Sequence, residues 1–205
     1  MTGLQGLTEF RVAFGYRREG TGWEIRGRDS ADPVARLWKP GPPRGSVPFE
    51  VYGGAATAEL IGLVTSRDAA TPDRQVVGRV RRYSGSNPFA DCWTFEQFGL
   101  GELEGKAAGF GSVVRNSVSW YNSDTSIGDL VAPLSLRFSG AGSAGFRITR
   151  PAGPLTRFQV AVEDPAVDRL LVLSVVRLFE LTTGDWDARR LVPRLGGLLR
   201  RRDGD

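Results

Sequence analysis

EDPAVDRLLVLSVVRLFEL, Glu163 to Leu181, reads as one apolar helix near the end of a chain that otherwise carries strand and turn signals. Asp164 is an N-cap residue type, and Pro165 suits the first helical position because that N–H needs no partner there. Asp168 falls in the first turn, where the helix dipole favours an anion. These signals predict a helix over 164–182. From Ala166 to Leu181 the only polar residues are Asp168, Arg169, Ser174, Arg177 and Glu180, and four of them fall in one arc of roughly 140°. A spanning helix needs about 20 apolar residues. This one has sixteen positions, with Arg177 and Glu180 well inside, where charge is costly in lipid. An interfacial helix has a broader polar face and more cations. The expectation is a helix buried on most of its circumference by its own protein.

Upstream, short runs of aromatic and β-branched residues alternate with Gly, Pro, Asp and Ser clusters, the signature of strands and turns. The candidates are FRVAFGY from Phe10, GWEIRG from Gly22, PVARLWK from Pro33, PFEVYGG from Pro48, ELIGLVTS from Glu59 and QVVGRVRRY from Gln75. DCWTFEQFG from Asp91, ELEGKAAG from Glu102, PLSLRFS from Pro133, GFRITR from Gly145 and PLTRFQVAVE from Pro154 follow. Ser112 to Tyr121, SVVRNSVSWY, suits a strand or a short helix. The total is eleven or twelve strands and one strong helix. An aromatic in one strand and a small residue in the next recur at Trp23 and Ala35, Phe49 and Gly62, and Trp93 and Gly105. The building unit is the antiparallel hairpin, not the βαβ crossover.

The 205 residues suit one domain with a small appendage. The charge is unevenly placed. Arg189 to Asp205 holds six of the 27 basic residues and two of the 23 acidic ones, so this segment alone carries the chain's net +4 and the rest balances at zero. A nucleic-acid reader usually bears its positive stripe on the folded surface, which disfavours that class. The opening MTGLQGLTEFRVAFGYRREG places Glu9 and Arg11 early, which predicts no secretory signal and a cytoplasmic chain.

Few residues point to chemistry. GAGSAG, Gly140 to Gly145, matches G-x-G-x-x-G, but a strand, FRITR, follows it rather than the helix a dinucleotide site requires. It reads as a hairpin turn. The chain has no histidine, which excludes Ser-His-Asp and Cys-His arrangements and His-ligated metals. The lone Cys92 reads as a small buried apolar residue. Glu102 and Glu104 share one face of a strand and Asp164 and Asp168 one face of the helix, and they read as a solvated strand face and helix N-terminal anions. Carboxylate chemistry stays open, but no residue is assigned a catalytic role, and the expectation favours a non-catalytic protein with no metal and no cofactor.

Many β-hairpins followed by one nearly all-apolar C-terminal helix resemble the tubby C-terminal-like superfamily, which includes tubby proteins, phospholipid scramblases and LURP-one-related proteins. RFQVAVEDPAVDRLLVLSVVRLFEL, Arg157 to Leu181, carries most of the resemblance. GWEIRGRDSADPVARLWK and PFEVYGGAATAELIGLV resemble strand pairs of the LURP-one and scramblase branches. The resemblance implies a mainly β fold, about twelve antiparallel strands in a barrel around a central hydrophobic helix over residues 1–183; the composition predicts a basic, flexible tail at 184–205. The resemblance also implies association with lipid or a protein partner. The chain departs from that family in lacking a cysteine-rich palmitoylation stretch and an acidic calcium loop before the helix, and no tubby phosphoinositide cation matches position by position.

Two cationic features are the candidate contact sites. VVGRVRRY sets Arg79 and Arg81 on one strand face, with Arg82 and Tyr83 at its end, a patch able to hold an anion. In the tail, Arg189, Arg190, Arg194, Arg200, Arg201 and Arg202 alternate with leucines, and each can contribute about 1 kcal/mol at an anionic membrane. The leading expectation is a binding or scaffold module, cytoplasmic and peripheral at the inner membrane face, with no transmembrane span. The alternatives are a barrel that holds or transforms a small ligand, and nucleic-acid contact through the tail.

Overall fold

Strand alternation closes on itself. In the computed structural model, twelve antiparallel strands form a closed barrel. The structure describes residues 3–17, 20–41, 47–84, 91–108, 134–151 and 157–182. The strands are β1 (Glu9–Arg17), β2 (Gly20–Gly27), β3 (Ala35–Pro40), β4 (Phe49–Gly53), β5 (Glu59–Val64) and β6 (Asp68–Ala70). They continue as β7 (Val76–Ser84), β8 (Asp91–Gln97), β9 (Gly101–Ala107), β10 (Leu134–Gly140), β11 (Ser143–Arg150) and β12 (Arg157–Val162). Helix α1 (Arg169–Thr182) follows. Neighbours in sequence are neighbours in the sheet, and β12 pairs with β1 to shut the ring, Phe10 opposite Val160 and Val12 opposite Phe158.

Eleven strands fall on the candidate runs. The twelfth is β6, three residues long and too short to leave a periodic signal. Ser112 to Tyr121 lies outside the described residues. GAGSAG is the tight connection between β10 and β11, with Gly140 opposite Ser143. Of the three aromatic–small pairings, only Trp93 and Gly105 stand directly opposite one another. Trp23 faces Leu37, and Phe49 faces Val64.

Inward positions carry the apolar residues: Trp23 and Ile25 on β2, Phe146 and Ile148 on β11, Phe158 and Val160 on β12, all buried. An eight-stranded barrel is filled by its own side chains, and sixteen strands leave an aqueous channel. Twelve strands enclose an intermediate bore, and an α-helix with its side chains is about 10–12 Å across. Helix α1 occupies that bore. Every residue from Arg169 to Arg177 is buried. Phe179 meets Trp93 of β8 at 5.6 Å between ring centroids and Phe158 of β12 at 5.7 Å. Ser174 Oγ donates to the Asp68 carbonyl of β6 at 2.7 Å. Each buried Leu, Val or Phe contributes about 1.5–3 kcal/mol relative to its exposed state. Gly62 and Gly78 supply the clearance: a Cβ at either would stand 2.5 Å from Leu170 or Leu171 of the helix.

The helix starts later than its sequence suggests. Asp168, not Asp164, is the N-cap, and its Oδ1 accepts the N–H of Leu170 at 2.7 Å. Asp164 instead stabilises the turn before it, accepting the Ala166 N–H at 2.9 Å and the Ser143 hydroxyl. Two capping residues four apart compete for the helix start. The second wins because Gln97 fixes the intervening turn, donating to the Ala166 carbonyl at 2.8 Å and accepting the Asp168 N–H at 2.7 Å. Asp164 and Asp168 therefore share no helical face. Arg169 folds back into this end of the barrel and donates to the carbonyls of Leu7, Pro165 and Val167. A cation at a helix N-terminus opposes the dipole, and those carbonyls offset the conflict.

Candidate functional site

The two ends of the barrel differ. One holds the helix N-terminus, sealed by Gln97, Arg169 and the turn after β12. At the other, β7 and β11 finish, β4 and β8 begin, and α1 emerges at Thr182. Of the candidate cations on β7, Arg81 and Arg82 lie toward this second end, and Arg79 lies nearer the first, opposite Glu96 close to the end of β8.

Residues on β7 alternate as the sheet requires. Arg79, Arg81 and Tyr83 are exposed on the outer wall. Arg82 is not part of that face. It continues the inward parity of Gly78 and Val80, and its guanidinium carbon lies 5.4 Å from the Trp93 ring centroid. The outer surface around the remaining pair is mixed in charge. Arg79 stands opposite Asp68 on one side and Glu96 on the other; Arg81 stands opposite Thr94, which faces Glu104 on β9. Glu102 and Glu104 are both exposed on that wall. Arg189, Arg190, Arg194, Arg200, Arg201 and Arg202 lie outside the described residues.

Inward parity brings further cations to this end. Lys39 continues the Ala35–Leu37 series on β3, and Arg150 the Phe146–Ile148 series on β11; both are buried. Arg177 joins them from the helix, 5.3 Å from the Phe49 ring centroid and 6.0 Å from that of Trp23, and pairs with Glu180. Lys39 Nζ lies 5.3 Å from the same Phe49 ring. Burial, and then the charge of Arg177, pushes the Lys39 ammonium below its ordinary pKa; burial pushes Arg150 down as well. Lys39 and Arg177 thus share the Phe49 ring in this half of the barrel. The signal of Lys39 and Arg150 was present in strand parity, which places every second residue on one face.

Catalytic features do not gather here. Among the described residues, no three Cys, Asp or Glu side chains converge as a metal site would require. Cys92 sits half-buried beside Trp93, not in the core as expected, because its parity is outward. A groove of about 510 Å³ lies on the outer wall beside Glu50, Leu63 and Asp68, outside the bore. Among the described residues no helix is long and apolar enough to cross a membrane. Comparison with family models, curated proteins and solved structures finds no match for the chain.

Proposed function

We propose that this chain is a non-catalytic binding module of the tubby C-terminal-like kind, docking peripherally on the anionic inner face of a membrane from the cytoplasm. The observation that carries the reading is the occupied bore. Helix α1 fills the space in which a barrel of this size would hold a small molecule, so recognition falls to the outer wall, the barrel ends and the basic segment that follows the helix. Arg189, Arg190, Arg194 and Arg200–Arg202, with Arg79 and Arg81, supply the charge. Each exposed cation near an anionic leaflet contributes about 1 kcal/mol, so six acting together suffice for reversible attachment without a lipid anchor.

The test is sedimentation of the full chain with phosphatidylcholine vesicles that contain or lack phosphatidylserine. Binding only to the anionic vesicles, abolished when the six tail arginines become glutamine, supports the reading. No binding to either vesicle overturns it and moves the reading to a protein partner. Tighter, more salt-dependent binding to DNA than to anionic vesicles overturns it in favour of nucleic acid.

A further inference from the structure

We infer that the barrel end from which the helix emerges is the membrane-facing surface, and that Val47, Tyr83 and Leu181 are its insertion points. This rests on the proposed function and assigns the docking face. Five large apolar residues are exposed among the described residues: Val47, Val76, Tyr83, Phe98 and Leu181. They divide between the two ends. Val76 opens β7 and Phe98 follows β8, both at the sealed end, where the Phe98 N–H donates to the carbonyl of Val77 beside Val76. The other three share the opposite rim: Val47 just before β4, Tyr83 near the end of β7, and Leu181 near the end of α1.

Two observations select that rim and identify lipid as its occupant. First, α1 ends at Thr182 within this rim, and the stretch that bears all six tail arginines follows it directly in sequence. No element that finishes at the sealed end is followed in sequence by such a basic stretch. Second, the vertical order of side chains on β7 matches a bilayer surface. Tyr83 is outermost, and Arg81 lies on the same face two residues deeper. At about 3.3 Å per residue and a strand tilt of 35–45°, that is about 5 Å along the barrel axis. The headgroup layer is of similar depth, about 5–8 Å on each side. Tyr83 at the interface therefore leaves the Arg81 guanidinium at phosphate level. Aromatic residues favour this boundary, and apolar contact joined to attraction for anionic lipid is how peripheral proteins hold it.

The test compares full-length variants for partition onto phosphatidylcholine–phosphatidylserine vesicles. Val47→Asp, Tyr83→Asp and Leu181→Asp combined should weaken partition by about tenfold or more. The control, Val76→Asp with Phe98→Asp, should change it less than about twofold, and both variants should melt near the parent because surface changes are individually small. A bimane label at Tyr83→Cys in a Cys92→Ser background should be quenched by brominated lipid, and one at Phe98→Cys should not. Equal loss in both variants, loss only in the control, or quenching only at position 98 overturns the assignment while leaving the proposed function standing. A parent chain that ignores anionic vesicles overturns both.

Discussion

Gly78 of β7 lies so close to Leu171 of α1 that a methyl group on Gly78 would sit 2.5 Å from the leucine Cδ2 and 2.3 Å from the Glu96 carbonyl oxygen. The wall of the barrel and the helix inside it are in backbone-to-side-chain contact here, with no slack on either side.

Gly78→Ala should therefore destabilise the protein by about 1–3 kcal/mol, the usual range for overpacking. Gly62→Ala, which would press on Leu170 and the Ala70 carbonyl, should behave alike. Urea unfolding reads both. A stability change within a few tenths of a kcal/mol would mean that the helix is not seated against β5 and β7.

Asp168→Ala should cost about 1 kcal/mol through loss of the N-cap, and Asp168→Asn much less, since an amide oxygen still accepts the Leu170 N–H. If Asp164→Ala proved the costlier in thermal melts, the helix would start at the earlier aspartate.

Gln97→Leu removes both hydrogen bonds to the turn that enters the helix and leaves the Ala166 carbonyl and the Asp168 N–H without that partner. The expected cost is about 1–3 kcal/mol. Amide exchange should accelerate in the first helical turn before it does in β10 or β11.

The Ser143 hydroxyl, and then the Ala166 N–H, hold the Asp164 carboxyl below its ordinary pKa. The folded state thus binds this proton less readily than the unfolded chain does. The stabilising effect is complete above the unfolded value near 3.9, and is lost as pH falls through the lower folded value. Urea midpoints taken from about pH 6 down to about pH 2 should fall less for Asp164→Asn than for the parent. Parallel profiles would show that the hydrogen bonds do not form.

Arg177 and Glu180 pair inside the barrel, with side chains 5% and 12% exposed. Arg177→Leu or Glu180→Leu alone leaves one charge behind and should cost about 3–5 kcal/mol. The double variant should cost less than the two added together. Strict additivity in a double-mutant cycle would deny the coupling.

Much of this architecture was legible because it rests on period and punctuation. The inward series Trp23–Ile25, Phe146–Ile148 and Phe158–Val160 each repeat every second residue, and the turns between them carry Gly, Pro or Asp. The helix was legible because no other segment is apolar around most of its circumference. Three features were not. The strand β6 is too short to show a period. The helix start depended on Gln97, a contact 71 residues away in sequence, which no local signal encodes. Arg82 follows Arg81 at the end of the strand, but parity sends it inward toward Trp93. The same parity would have flagged Lys39 and Arg150, whose charge hid them among surface residues.

The pairing of β12 with β1 has a consequence for biosynthesis. The ring cannot shut until its last stave has been made, and the rod that fills it is translated later still. While the ribosome works through the first eleven strands, Trp23, Phe49, Trp93 and Phe146 have no final shelter. A nascent chain with so many long-range pairings is slow to mature and prone to clump. Stalling synthesis just before Arg169 should therefore yield an insoluble product.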